Sequence, residues 1–142
     1  MTTIPFAFNR NSKRRSAIIG TAYTRDNSGG IRRYKLLALM QLRALVNEGF
    51  ADPNDQQNDA PSLAAFLGFM SVYPFATAHG YTIEPKRDDY RVSVEGISGQ
   101  VPADLGAQAF ECFVHVFERM FSGADEYDPP AGPGAKFRIW YD

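Results

Sequence analysis

The segment GYTIEPKRDDYRVSVEGI, residues 80–97, constrains the fold more than any other part of the chain. Two runs within it alternate apolar with polar side chains: Tyr81 and Ile83 in the first run, and Tyr90, Val92 and Val94 in the second. Such alternation is typical of strands that have one buried face, and the short link between the runs is rich in turn-forming residues. The segment therefore predicts an antiparallel hairpin with one side against a hydrophobic core.

Periodicity and capping residues predict the other elements. We expect a strand over 16–24 and a turn over 25–30, followed by a helix from Ile31 to Gly49. A second helix is expected between the N-cap Ser62 and Pro74, a third over 102–121, and a final strand from Lys136. The resulting order β-α-α-β-β-α-β predicts an α+β fold, in which helices pack on one face of a small, mainly antiparallel sheet.

Chain length and cysteine content limit the domain organisation. At 142 residues the chain is expected to form a single globular domain over 1–142, with residues 1–15 as a flexible basic N-terminal segment. Cys112 is the only cysteine, which excludes an intramolecular disulfide and every multi-cysteine zinc motif. Because no apolar run approaches the roughly 18 residues of a membrane span, we expect a cytoplasmic protein without a membrane partner.

The two parts of the chain carry opposite charge. Residues 1–43 contain nine Lys or Arg and one acid, whereas residues 44–142 contain six Lys or Arg and fifteen acids. Such asymmetry is a recognised indication of nucleic-acid contact, although the two parts can equally neutralise each other across the fold. The basic candidates for binding nucleic acid or a partner are Arg10, Lys13, Arg14, Arg15, Arg32 and Arg33. The acidic candidates for binding a partner are Asp52, Asp55, Asp59, Asp125, Glu126 and Asp128.

The two histidines are the candidates for chemistry. His115 lies between Glu111 and Glu118 at helical spacing, on the polar arc that we expect to face solvent. His79 precedes the hairpin, and sequence proximity alone does not supply the hydrogen-bonded geometry that a general base needs. The sequence contains no phosphate-binding glycine motif, no nucleophile elbow and no HExxH motif. We therefore predict no cofactor and no metal, and a small enzyme using His79 or His115 is the less favoured alternative.

The hairpin and the following helix start resemble a known family. The stretches GYTIEP (80–85) and YRVSVEGISGQVPADLGA (90–107) are similar in order and character to the ArdB/KlcA antirestriction proteins. The resemblance implies a small α+β protein of a mobile element that inhibits host type I restriction enzymes. It favours a non-catalytic protein whose partner is a protein or a protein–nucleic-acid complex. The alternative hypothesis is a nucleic-acid-binding module that uses the basic N-terminal region.

Overall fold

The computed structural model describes residues 5–142, which form four α-helices and one six-stranded sheet. The helices are α1 (Ser12–Ile19), α2 (Leu39–Asn47), α3 (Leu63–Val72) and α4 (Ala107–Phe121). The strands are β1 (Tyr23–Ser28), β2 (Ile31–Leu37), β3 (Ala76–Ile83), β4 (Val92–Gln100), β5 (Glu126–Asp128) and β6 (Lys136–Trp140). The sheet order is β1-β2-β3-β4-β6-β5, and every neighbouring pair is antiparallel. The predicted α+β class is confirmed.

One hydrophobic cluster joins the helices to the sheet. On β6 the side chains of Phe137 and Ile139 are buried in this cluster, while Lys136 and Arg138 point away from it. The cross-strand partner of Ile139 is Ile97 of β4, which is also fully buried. The sheet therefore has one face against the helices and a second face, here called the open face, that carries the polar side chains.

Phenylalanines on α4 supply the centre of the core. Phe113, Phe117 and Phe121 recur every four residues, so they lie on one stripe of the helix, and all three are fully buried. The Phe113 ring lies 5.2 Å from Phe137 on the sheet, and the Phe121 ring lies 5.1 Å from Phe69 on α3. Large aromatic side chains packed edge to face or tilted in this way fix the helix against the sheet.

The strand predicted over 16–24 is wrong for most of its length. Residues 12–19 form α1, so part of the segment expected to be flexible is helical, and residues 1–4 lie outside the described chain. The Asn11 side chain accepts a hydrogen bond from the Arg14 amide and caps α1. Gly20 ends the helix with a positive φ of 52°. A 3₁₀ turn over Gly20–Ala22 then leads into β1.

The helix predicted from Ile31 is wrong in its first half, which forms β2. Gly29 and Gly30 have φ values of 63° and 81° and make the tight turn of a β1–β2 hairpin. The register of β2 against β3 shifts between Tyr34 and Leu37, so these two buried residues lie three positions apart. The helix prediction depends on Ile31, Tyr34, Ala38, Leu42 and Leu45, whose spacing of three and four positions continues the period of α2 into the strand. The second half of the prediction is confirmed by α2.

The predictions for the rest of the chain match better. The hairpin is confirmed as β3 and β4, the helix after Ser62 as α3, and the final strand as β6. The Ser62 hydroxyl accepts a hydrogen bond from the Ala65 amide, as an N-cap should. The helix predicted over 102–121 begins later, with Gly106 as its N-cap. The short strand β5 was not predicted. Within the described residues, no helix combines the length and the apolar character needed to cross a membrane.

Candidate functional site

The six basic candidates do not form one surface. Arg14 on α1 makes two hydrogen bonds of 2.8 Å to the Glu48 carboxylate, and this contact lowers the pKa of Glu48. Arg33 on β2 points to the open face and lies 2.5 Å from the Glu95 carboxylate. Two cations of the first part of the chain are thus neutralised by acids of the second part, while Lys13 is exposed on α1.

Three other basic residues stack on tyrosines. The guanidinium carbon of Arg10 lies 4.5 Å from the centre of the Tyr90 ring, and that of Arg15 lies 4.4 Å from the same ring. The guanidinium of Arg32 lies 3.8 Å from the Tyr23 ring. Within residues 5–142, no carboxylate is within ion-pair distance of these three arginines. Cation–π contacts therefore hold these guanidinium groups without neutralising their charge.

Aspartates from three loops gather at one end of the sheet. Asp52 and Asp55 of the loop after α2 line a cavity of about 530 Å³ together with Asp88 and Asp89 of the β3–β4 turn. Asn58 of the same loop donates a hydrogen bond to the main-chain oxygen of Asp142, and the Asp142 amide donates one of 2.7 Å to Asp125. These contacts bring the loops 51–61 and 122–125 together. We call the following residues the acidic surface: Asp52, Asp55, Asp59, Asp88, Asp89, Asp125 and Asp142.

Two arginines, Arg10 and Arg91, line the same cavity as the four aspartates, so the negative charge of this surface is only partly balanced. Asp89 is paired with Arg87 at 2.7 Å and with Arg91 at 3.7 Å. In the described part of the chain, no Lys or Arg is within ion-pair distance of the other members of the acidic surface. Burial raises the pKa of Asp55, and the nearby charge of Asp52 adds to that effect, while Arg91 opposes it. The surface thus presents concentrated negative charge, with Asp55 at its half-buried inner side.

Two acidic candidates lie elsewhere. Glu126 and Asp128 belong to β5, where the Glu126 carboxylate pairs with Arg138 of β6. Asp128 lines a largely apolar cavity of about 560 Å³ on the open face, next to Leu36 and Phe137. The contacts through Asp142 thus join the loops that carry Asp52, Asp55, Asp59 and Asp125, whereas strand pairing directs Glu126 and Asp128 to other contacts.

The open face holds a polar cavity that the sequence did not reveal. This cavity has a volume of about 480 Å³ and is lined by His79, Arg33, Glu95, Arg138 and Trp140, among others. These residues come from four strands, so only the pairing of β2, β3, β4 and β6 brings them together. The bulge at Glu95 turns its carboxylate toward the open face, where it meets Arg33 although its side chain is only 6% exposed.

His79 is the unusual group in this cavity. Its Nε2 atom is buried and has no hydrogen-bond partner among the described residues. A Cβ atom on Gly96 would lie 2.5 Å from Nε2, so the imidazole rests directly on that glycine. Burial lowers the pKa of His79 to about 4, and the positive charges of Arg138, Lys35 and Arg33 act in the same direction. The imidazole is therefore neutral at pH 7, and no described residue orients it through Nε2.

Leu36 borders both cavities of the open face. It adopts a left-handed conformation with φ of 56°, which is rare for a residue with a large side chain, and it is 68% exposed. Its position follows from the register shift of β2, which directs Leu36 outward and Leu37 into the core.

The polar side of α4 faces solvent, as the helical spacing of its polar residues predicts. His115, Glu111 and Glu118 are all exposed, and so is Cys112. Cys112 precedes Phe113 and therefore lies about 100° away from the buried stripe. Among residues 5–142, no three His, Cys, Asp or Glu side chains come together in an arrangement that could hold a metal ion.

Comparison of the chain with protein-family models, with curated proteins and with solved structures gave no match. The resemblance of residues 80–107 to antirestriction proteins stays a prediction. We therefore infer function from the surfaces described above. The acidic surface includes four residues that the sequence analysis proposed as candidates, Asp52, Asp55, Asp59 and Asp125. The polar cavity on the open face had no local sequence signal, because the residues that line it lie far apart in the chain.

Proposed function

We propose that this protein is a non-catalytic binding protein whose acidic surface engages a basic surface of a macromolecule. The observation that carries the proposal is the junction of loops 51–61 and 122–125 through Asp142. It unites acids that are up to 90 positions apart in the chain into one negatively charged region. Concentrated charge of one sign steers association with an oppositely charged partner and favours the correct orientation on encounter.

The partner class follows from the chemistry of this surface. Enzymes that process nucleic acid carry basic surfaces for phosphate, and an acidic protein surface competes for them by the same charge complementarity. The resemblance to antirestriction proteins leads to a specific form of the proposal. In it, the protein inhibits a type I restriction enzyme by occupying its basic nucleic-acid-binding surface.

The test measures plating of unmodified phage on restricting cells that express the protein. We expect the natural sequence to raise plating efficiency, and we expect the triple variant Asp52→Asn, Asp59→Asn, Asp125→Asn to lose the effect. These side chains have no ion-pair partner among the described residues. The Oδ1 atom of asparagine can still accept the amide hydrogen bonds that Asp52 and Asp125 accept, so the variant should keep the fold.

A matched control changes the same amount of charge at another place. Asp104, Glu111 and Glu118 are exposed near or on α4, and their conversion to Asn, Gln and Gln removes three negative charges. This control should protect the phage as well as the natural sequence does. Absence of protection by the natural sequence, or equal protection by both triple variants, would show that the acidic surface does not act in this way.

A further inference from the structure

A small cavity lies between α1 and the β2–β3 pair. Its volume is about 190 Å³, and no residue of the acidic surface lines it. Ser12, Arg15 and Ser16 line it from α1, since their spacing of three and four positions puts them on one side of the helix. Arg32 of β2 and its cross-strand partner Thr82 of β3 line it from the sheet.

Arg15 is a buried cation without a counter-charge. It is only 4% exposed and stacks on Tyr90, and the single hydrogen bond of its side chain among the described residues is one of 3.0 Å from NH2 to the Ile83 carbonyl oxygen. The Nε and NH1 atoms are buried and have no partner in the described chain. A buried guanidinium that is neither paired nor fully hydrogen-bonded is strongly unfavourable, and a nearby anion relieves that cost.

Arg32 presents a second positive charge to the same cavity. The face of its guanidinium is stacked on Tyr23, which leaves the N–H edge of the planar group available for an oxyanion. The Tyr23 hydroxyl lies 2.9 Å from the Thr82 hydroxyl, so this pair supplies a further polar group at the cavity wall. Stacking fixes the guanidinium in place, which reduces the entropy lost when it binds a ligand.

We propose that this cavity binds a phosphoryl oxyanion, held by Arg32 and the serine hydroxyls of α1 and stabilised by the charge of Arg15. The exposed carboxylate of Glu84 also lines the cavity and opposes an anion, yet two arginines outweigh it. Planar guanidinium groups and hydroxyls are the donors that suit phosphate oxygens. The proposal goes beyond the proposed function, because the two sites share no residue.

The experiment titrates inorganic phosphate into the ¹⁵N-labelled full chain at constant ionic strength and follows the amide resonances. We expect saturable shifts confined to residues 12–16, 30–32 and 82–84. Arg32→Gln should weaken the affinity about tenfold or more, since a charge-assisted hydrogen bond is lost. Glu84→Gln should strengthen it about threefold, because a screened like charge is removed. Arg25→Gln is the control, as Arg25 is exposed on β1 and does not line the cavity.

Two sources of the phosphoryl group are distinguished by competition with a short oligonucleotide. Displacement of phosphate shows that the site accepts the phosphodiester of nucleic acid, and lack of displacement assigns it to free phosphate or a phosphomonoester. The proposal is overturned when phosphate causes no saturable shifts, or when Arg32→Gln and Arg25→Gln bind it equally well. Arg32 is chosen for the variant rather than Arg15 because it is exposed, so the variant should retain the fold.

Discussion

The buried imidazole of His79 predicts a specific loss of stability in mild acid. In the folded protein its pKa is about 4, against an ordinary value of 6.5 in the unfolded chain. Below pH 6.5 the unfolded chain therefore takes up a proton that the folded protein does not bind until the pH approaches 4. Because the unfolded state binds more protons over this range, the free energy of unfolding must fall as the pH falls through it.

The size of the effect follows from the two pKa values. Each pKa unit of difference corresponds to about 1.4 kcal/mol, so the free energy of unfolding should fall by about 2 kcal/mol between pH 7 and pH 5. The fall should approach about 3 kcal/mol by pH 4. Glu48 and Asp89 have lowered pKa values and titrate below the interval from pH 7 to pH 5. The raised pKa of Asp55 acts in the opposite direction to the lowered pKa of His79, so the histidine's contribution is taken from the comparison with a His79 variant.

Urea denaturation followed by circular dichroism at pH 7, 6 and 5 measures this directly. For a domain of this size, a loss of 2 kcal/mol lowers the urea midpoint by about 1 M. His79→Phe should abolish most of the pH dependence, since it removes the titrating group while filling a similar volume. His115→Gln removes an exposed histidine and should keep the dependence. An unchanged slope in His79→Phe would refute the inference that His79 is buried and neutral.

Three further changes test the fold around the sites by thermal and urea unfolding. Phe117→Ala should lower the free energy of unfolding by about 3–5 kcal/mol, because Phe117 is fully buried against Phe69, Phe113 and Phe137. Val72→Ala, at a position that is 68% exposed, should lower it by less than about 0.5 kcal/mol. Arg33→Met should lower the free energy of unfolding by about 3 kcal/mol, because it leaves the Glu95 carboxylate unpaired. Adding Glu95→Gln should recover much of that loss, and a double variant without recovery would mean that the lost ion pair is not the cause. Gly96→Ala should destabilise the fold by about 3 kcal/mol or more, since the new Cβ would lie 2.0 Å from the Ile139 carbonyl oxygen. Gly68 lies inside α3 with no atom close to the position of a Cβ, so Gly68→Ala should stabilise the fold by about 0.5–1 kcal/mol.

Secondary structure was predicted correctly where the spacing of apolar residues stayed regular over a whole strand or helix. Tyr90, Val92 and Val94 keep a strict alternation, and the hairpin was predicted correctly. The prediction failed for β2, because Ile31, Tyr34 and Ala38 continue the three- and four-residue spacing of the helix α2 and make the strand look helical. The Gly29–Gly30 pair was the available signal, because two adjacent glycines favour a tight hairpin turn.

The sites were harder to predict than the fold, for a different physical reason. Arg33 and Glu95 meet across 62 positions, and Arg15 reaches the Ile83 carbonyl across 68. Such contacts are set by strand order and helix placement, which depend on the whole chain. Charge counting therefore lists the charged residues without showing which of them neutralise each other.

The ion pairs show which part of the charge asymmetry is neutralised within the fold. Arg14 and Arg33 are neutralised by Glu48 and Glu95, so part of the asymmetry is internal and has no need of a partner. Of the charges left over, Arg15 and Arg32 lie around the α1 cavity and the aspartates lie at the loop junction, while Arg10 lines the cavity of Asp52 and Asp55. A net charge near zero thus hides two local fields of opposite sign, and each field attracts ligands of the opposite charge. Raising the ionic strength should weaken binding at the exposed acidic surface more than at the partly buried arginine cavity, because screening acts chiefly on exposed charges.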